Sequence, residues 1–257
     1  VTVRYFLPQS LADGSLRLTV LNDAGEEVVS LSNGALGAAA GFHRANWDLR
    51  GAGVKPLPLP GADPEEPVKE ARGPLVPPGR YTIRLQGPGV DLDRGLEVRA
   101  DPRVDVPAAG LIRQYEVGRR IMDEPTRVRD AILRLRGLRE RAGRWQNGSG
   151  RGNDGIREGA ATILEQLDSI ERRLTQPDMK DDTDRLKVPA GLDMKLGALS
   201  DLLDAIDAAP TAATEAVLDE LAERARSAIQ DLNGLTEGPV AELDRRIHQS
   251  GVPIVGG

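Results

Sequence analysis

The sequence predicts an α+β multidomain chain: an N-terminal antiparallel β-sandwich followed by an antiparallel four-helix bundle. Three observations carry that expectation. From Val1 to about Arg103 the apolar residues recur with period two, the spacing of half-buried strands. After "DPRVDVP" the spacing lengthens to about 3.5 residues, that of amphipathic helices. Turn-forming clusters, "ADGS", "NDAGE", "SNGALG", "VPPGR" and "GPGVD", cut the first part into short runs, as in all-β sandwiches. The expected boundaries are 1–105 for the sandwich, with a Pro-rich insertion at 51–78, and 106–257 for the bundle, with a flexible linker at 147–155.

In "SLRLTVL", Leu16, Leu18 and Val20 alternate with Arg17 and Thr19, so the leucines and the valine are expected inward. "YTIRLQG" sends Tyr81, Ile83 and Leu85 inward, and "GLEVRAD" sends Leu96 and Val98. In "RANWDLR", Ala45, Trp47 and Leu49 are expected to face the core, with Arg44, Asn46, Asp48 and Arg50 on the wet face. Tyr5, Phe6, Phe42, Trp47 and Tyr81 all lie in this part and are expected to fill the gap between two sheets. The stretch "GAGVKPLPLPGADPEEPVKEARGPLVPP" carries eight prolines and cannot be a central strand. It reads as an extended surface insertion, and Lys55, Pro56, Leu57, Pro58, Leu59 and Pro60 within it are candidate partner-binding residues.

The first expected helix carries Leu111, Tyr115, Met122, Val128, Ile132, Leu135, Leu138, Ala142 and Trp145. Pro125 should kink it or break it in two. "NGSGRGNDG" ends it, and Asn153 or Asp154 can cap the second helix, whose stripe runs Ile156, Ala160, Ile163, Leu167, Ile170 and Leu174. A third helix carries Leu192, Leu196, Leu199, Leu203 and Ile206. A fourth follows Thr211, its expected N-cap, and carries Leu218, Leu221, Ala225, Ala228, Leu232 and Leu235. "EGP" at Glu237 to Pro239 should bend it before Leu243 and Ile247. Such stripes with mostly short connectors are those of an antiparallel bundle.

With Lys+Arg 34 against Asp+Glu 40, the net charge of −6 argues against nucleic acid as the main partner. The absence of Cys removes thiol nucleophiles and thiolate metal sites. No apolar run approaches the length of a membrane span, and no stretch reads as a signal peptide. The opening "VTVRYFL", a strand-like pattern without a Met, is the expected mark of a fragment or processed product of a longer precursor.

"ANWDLRG", "LVPPGRYTIRLQG" and "LEVRADPR", in that order and followed by helices, resemble the C-terminal region of exported bacterial proteins with BNR/Asp-box, sortilin-like β-propellers, a group often described as glycosyl hydrolase or sialidase-like. "LGALSDLLDAIDAAPTAATEAVLDEL" and the closing "RRIHQSGVPIV" are similar to the helical tail of those proteins. The resemblance implies an Ig/fibronectin type III-like sandwich, an exported, periplasmic or extracellular location, and a propeller that lies outside this chain. The Asp-box pattern S-x-D-x-G-x-x-W is absent, so the resemblance carries no catalytic residue onto these positions, and Pro125 departs from an uninterrupted helix.

Only two histidines are present, His43 and His248, and there is no HExxH, G-x-S-x-G or P-loop pattern. The carboxylates of Asp178, Asp181, Asp182 and Asp184 could hold a calcium ion, but the loop lacks the central Gly and terminal Glu of a helix-loop-helix site, and a solvated connector is the preferred reading. "RLRGLRERAGR" places Arg134, Arg136, Arg139, Arg141 and Arg144 on one helix, as an ion-paired bundle face or, through Arg134, Arg141 and Arg144, a contact for an acidic partner. The expected function is therefore non-catalytic and needs no cofactor. It is that of a structural or protein-interaction module, an accessory subunit on a periplasmic or membrane-associated assembly. The alternative is the non-catalytic or glycan-binding tail of a sialidase-like hydrolase. Glycan-binding sandwiches expose aromatic platforms, so exposure of Trp47 or Tyr81 would favour that alternative, and their burial the structural one.

Overall fold

The structure is a computed structural model that describes residues 1–32, 35–54, 72–103, 105–148, 154–178, 187–205 and 208–250. It is α+β, with antiparallel strands in two sheets preceding the helices. The strands are β1 (Thr2–Leu7), β2 (Arg17–Asn22), β3 (Glu27–Leu31), β4 (Gly41–Asn46), β5 (Gly79–Gly87) and β6 (Val90–Val98). The helices are α1 (Ala108–Gly148), α2 (Asp154–Leu174), α3 (Leu192–Asp204), α4 (Ala212–Leu235) and α5 (Ala241–Ser250). A two-stranded sheet pairs β1 with β4, and a four-stranded sheet runs β3-β2-β5-β6. No helix among the described residues is long and apolar enough to cross a membrane.

Both sheets feed one hydrophobic cluster. Leu16, Leu18 and Val20 from β2 and its approach meet Tyr81, Ile83 and Leu85 from β5, as their alternation predicts. Tyr5, Leu7, Ala45 and Trp47 enter the same cluster from the β1–β4 side. Trp47 is 2% exposed, and its ring lies edge-on to Tyr81 at 5.7 Å. Each buried polar tip is satisfied: Trp47 Nε1–H donates to Arg50 C=O at 2.8 Å, Tyr5 O–H to Gly37 C=O at 2.8 Å, and Tyr81 O–H to Pro77 C=O at 2.7 Å. Burial, with Tyr115 nearby, pushes the Tyr81 hydroxyl up to about 12.

Four expectations need correction. Phe6 and Phe42 are not core residues: Tyr5 and Leu7 take the inward parity of β1, which sends Phe6 out, and its register partner Phe42 goes with it. Thr19, expected on the wet side of β2, is buried in a central strand. The alternation in "RANWDLR" runs on through exposed Asp48 to Leu49, which packs against the cluster, and fails at Arg50, because Leu49 adopts φ 64 and the chain turns under the Trp47–Arg50 hydrogen bond. Arg50 is therefore drawn inward, donating to Gly73 C=O at 2.9 Å and pairing with Asp204. Finally, α1 is not broken at Pro125. The ring forfeits the hydrogen bond to Ile121 C=O, but the burial of Ile121, Met122 and Val128 on either side holds the helix together.

The ends of the Pro-rich stretch are fastened to each other. Gly51 N–H donates to Pro74 C=O at 2.9 Å and Val76 N–H to Leu49 C=O at 2.8 Å, with Arg50 and Leu75 forming an antiparallel bridge. The segment between them, 55–71, lies outside the described residues.

The residues group into two compact units. One gathers Val1–Val54, Glu70–Met122 and Ser200–Ala212. Within it, Tyr115 of α1 packs against the sheet cluster, and Gln114 Nε2 donates to Leu203 C=O of α3 at 3.1 Å. The other gathers Asp123–Leu199 and Ala213–Gly257. Its helices bury the stripes that their spacing predicts: every apolar position named for α2 is buried, as are those named for α4. After α4 a π-helical turn, Thr236–Val240, absorbs Pro239, and Leu243 and Ile247 then return to the interior. Glu171 of α2 is buried as well, and it is held by Arg136 and Arg139 of α1, with Asp168 also on Arg139.

Replacing Trp47 by Ala should lower the unfolding free energy by roughly 3–5 kcal/mol, the usual loss for a truncated core aromatic. His43→Ala should cost much less. Urea titration followed by far-ultraviolet circular dichroism measures both, and the reverse ranking would contradict the assigned core. Glu171→Ala takes the carboxylate from Arg136 and leaves Arg139 with Asp168 alone, beside a buried site, and should cost about 3 kcal/mol in the same assay.

Candidate functional site

The alternation that buries Tyr5, Leu7, Ala45 and Trp47 fixes what the β1–β4 sheet shows on its other face. Thr2, Arg4 and Phe6 lie outward on β1, and Asn46, Arg44 and Phe42 lie outward on β4. The register sets them directly opposite one another as Thr2↔Asn46, Arg4↔Arg44 and Phe6↔Phe42. Trp47 N–H donates to Val1 C=O at 2.9 Å, which sets the phase of the ladder. Counting from that bond, these three outward pairs are the non-hydrogen-bonded ones, where facing side chains come closest.

The three rows differ in chemistry. Thr2 Oγ1 donates to Asn46 Oδ1 at 3.0 Å, so the polar row satisfies itself. Arg4 and Arg44 face each other as like charges, and neither has an ion-pair partner among the described residues. Phe6 and Phe42 touch at a centroid separation of 4.9 Å with a tilt of 52°. Phe6 is 55% exposed and Phe42 86%. That is a large apolar area to leave in water beside two uncompensated cations.

Local sequence holds the face in this orientation. Gly41 begins β4 at φ +123, a conformation open to glycine, and so delivers Phe42 outward while the chain enters the ladder. On the inner side His43 stacks on Tyr5 with centroids 5.3 Å apart, and its Nε2–H donates to Ala39 C=O at 2.6 Å. A Cβ on Gly37 would come within 2.3 Å of His43 Nδ1, so a side chain there would displace the His43 ring.

The residues marked out by the sequence fall elsewhere. Lys55, Pro56, Leu57, Pro58, Leu59 and Pro60 lie outside the described residues. Arg134 donates to Asn233 Oδ1 at 2.7 Å. Arg141 pairs with Asp244 at 3.3 Å and lies over the Trp145 ring at 5.0 Å. Arg144 is exposed, without an ion pair among the described residues. The arginine row of α1 is thus mostly occupied within its own unit. Of the proposed calcium loop, Asp178 pairs with Arg172, and Asp181, Asp182 and Asp184 lie outside the described residues. No group of three His, Cys, Asp or Glu among the described residues could hold a metal ion. His248 Nδ1–H donates to Asp244 C=O at 2.8 Å. Sequence reasoning missed Phe6, Phe42, Arg4 and Arg44. The signal was present in "RYF", where Arg4 and Phe6 share one parity and Tyr5 takes the other.

Compared with known proteins, the chain matches no family model, no curated protein and no solved structure.

Arg4→Glu places opposite charges across a close cross-strand pair, where two like charges now stand. It should raise stability by about 0.2–1 kcal/mol. Equilibrium urea unfolding checks the sign; a loss of stability would show that the Arg4↔Arg44 pairing is wrong.

Proposed function

We propose that this chain is a non-catalytic protein-interaction module, built as an Ig/fibronectin type III-like sandwich followed by an antiparallel four-helix bundle. The observation that carries the reading is the outer face of the β1–β4 sheet. Two phenylalanines stand in solvent beside two arginines that have no acidic partner among the described residues. None of the four is needed for the core, and an exposed aromatic cluster flanked by Arg has the composition of a protein-interface hot spot. The resemblance to the C-terminal region of sortilin-like propeller proteins supports an exported accessory subunit, working at a periplasmic or membrane-associated assembly. Lys55 to Pro60 are a second contact in this reading; of the insertion that holds them, the flanking residues Gly51 and Pro74 are hydrogen-bonded to each other.

The second reading is a glycan-binding tail of a sialidase-like hydrolase, favoured by the same exposed aromatics. Against it, Trp47 and Tyr81 are both buried. The phenylalanine rings are tilted rather than coplanar, and the neutral polar pair of the face, Thr2 and Asn46, lies two rows away and is bonded to itself.

Purification of the wild-type chain from its native source should bring down a protein partner. The Phe6→Ser/Phe42→Ser variant should lose it while retaining its thermal unfolding midpoint. Turnover of sialosides or other glycosides by the purified chain would overturn the non-catalytic reading.

A further inference from the structure

We infer that the outer face of the β1–β4 sheet receives an extended acidic polypeptide segment in which a carboxylate side chain and an apolar side chain stand two residues apart. The inference rests on the protein-interaction reading and names the partner's chemistry.

Like charges directly opposite in a non-hydrogen-bonded pair repel, and among the described residues neither Arg4 nor Arg44 has an ion-pair partner to relieve the repulsion. The chain as a whole is acidic, at −6, so two arginines set directly opposite one another make a locally cationic patch on an acidic chain. A carboxylate placed between the two guanidinium groups removes the repulsion and accepts charge-assisted hydrogen bonds from both. The adjoining row is the Phe6–Phe42 pair, one strand repeat of two residues away. An extended ligand running alongside the strands has the same two-residue repeat. A side chain two positions from its carboxylate therefore lands on the phenylalanines, and an apolar group there covers area now open to water.

The ladder phase adds a main-chain component. In non-hydrogen-bonded pairs the N–H and C=O groups point away from the partner strand, and β1 and β4 have no other strand partner among the described residues. The backbone groups of Arg4, Phe6, Phe42 and Arg44 are thus presented at the two edges, where an added strand pairs. An anionic sugar also satisfies arginine. Its ring hydroxyls, however, both donate and accept and its ring needs a flat stacking surface, whereas beside the arginines this face has a Thr2–Asn46 pair bonded to itself and a tilted ring pair.

The test uses the whole chain and fluorescein-labelled synthetic peptides, read by anisotropy at about 50 and 300 mM salt. One peptide alternates Glu and Leu through Ser spacers so that the two types stand two residues apart; a second replaces Glu by Lys. The Glu peptide should bind, more weakly at high salt, and the Lys peptide should bind at least tenfold more weakly. Arg4→Glu/Arg44→Glu and Phe6→Ser/Phe42→Ser should each weaken the Glu peptide at least tenfold, with unchanged circular dichroism. Arg4→Glu alone should weaken it while raising the unfolding midpoint, a combination that misfolding cannot produce. Equal binding of both peptides, no binding of the Glu peptide, or unaltered binding by the arginine variant would each overturn the inference. So would saturable binding of sialyllactose lost with the same variants, or self-association abolished by Phe42→Ser. A native partner still retained by Arg4→Glu/Arg44→Glu would overturn the acidic ligand while leaving the interaction reading in place.

Discussion

The burial of Trp47 is the constraint on which the exposed face depends. Its indole closes the core from the end of β4, packs against Tyr81, and donates its N–H to Arg50 C=O just downstream. Its own main-chain N–H reaches Val1 C=O, which sets β1 beside β4. Because side chains alternate along a strand, fixing Trp47 and Ala45 inward fixes Arg44 and Phe42 outward. The register then brings Arg4 and Phe6 opposite them. A slip of β1 by one residue would turn Arg4 inward and Tyr5 outward, so the hydrophobic effect and the cost of burying charge enforce the same arrangement.

In the proposed reading, what the face gains in recognition it gives up in stability. Most charged side chains on the strands are paired: Arg17 with Glu27, Arg84 with Asp93, Arg80 with Asp23. Exposed pairs of this kind contribute little individually, but they show how this surface ordinarily treats its cations. Arg4 and Arg44 depart from that treatment at the one place where two phenylalanines are also uncovered. The helical unit follows the ordinary treatment, since Arg136, Arg139 and Arg141 of α1 each find a carboxylate on another helix.

Period and parity made much of the architecture legible. The change of spacing after Arg103 separated strands from helices, and the stripes of α2 and α4 could be named position by position. The parity of β2 and β5 was readable for the same reason. Legibility failed where tertiary context decided between local alternatives. "YF" offers two adjacent aromatics, and only the register shows that Tyr5 goes in and Phe6 out. Pro125 carries a strong local signal for a break, which packing on both sides of it outweighs. Leu49 at φ 64 is not a residue type that marks such a turn, which is held by the Trp47 side chain on Arg50 C=O and by Asp48 Oδ1 accepting from Arg50 N–H. Arg50, read as a wet-face residue, is drawn in by the Gly73 carbonyl and Asp204, partners too distant in sequence to be foreseen.

The pairing of β1 with β4 can be tested by cross-linking, and the absence of cysteine makes the experiment clean. A disulfide needs Cα atoms within about 4.4–6.8 Å, a range that a facing strand pair meets and a slipped pair meets poorly. Arg4→Cys/Arg44→Cys should therefore oxidise to an intramolecular disulfide in air, seen as the loss of both free thiols by mass spectrometry under native conditions. Arg4→Cys/Ala45→Cys should retain its thiols. Rapid closure of the second pair, with the first remaining reduced, would contradict the register and with it the face that it builds.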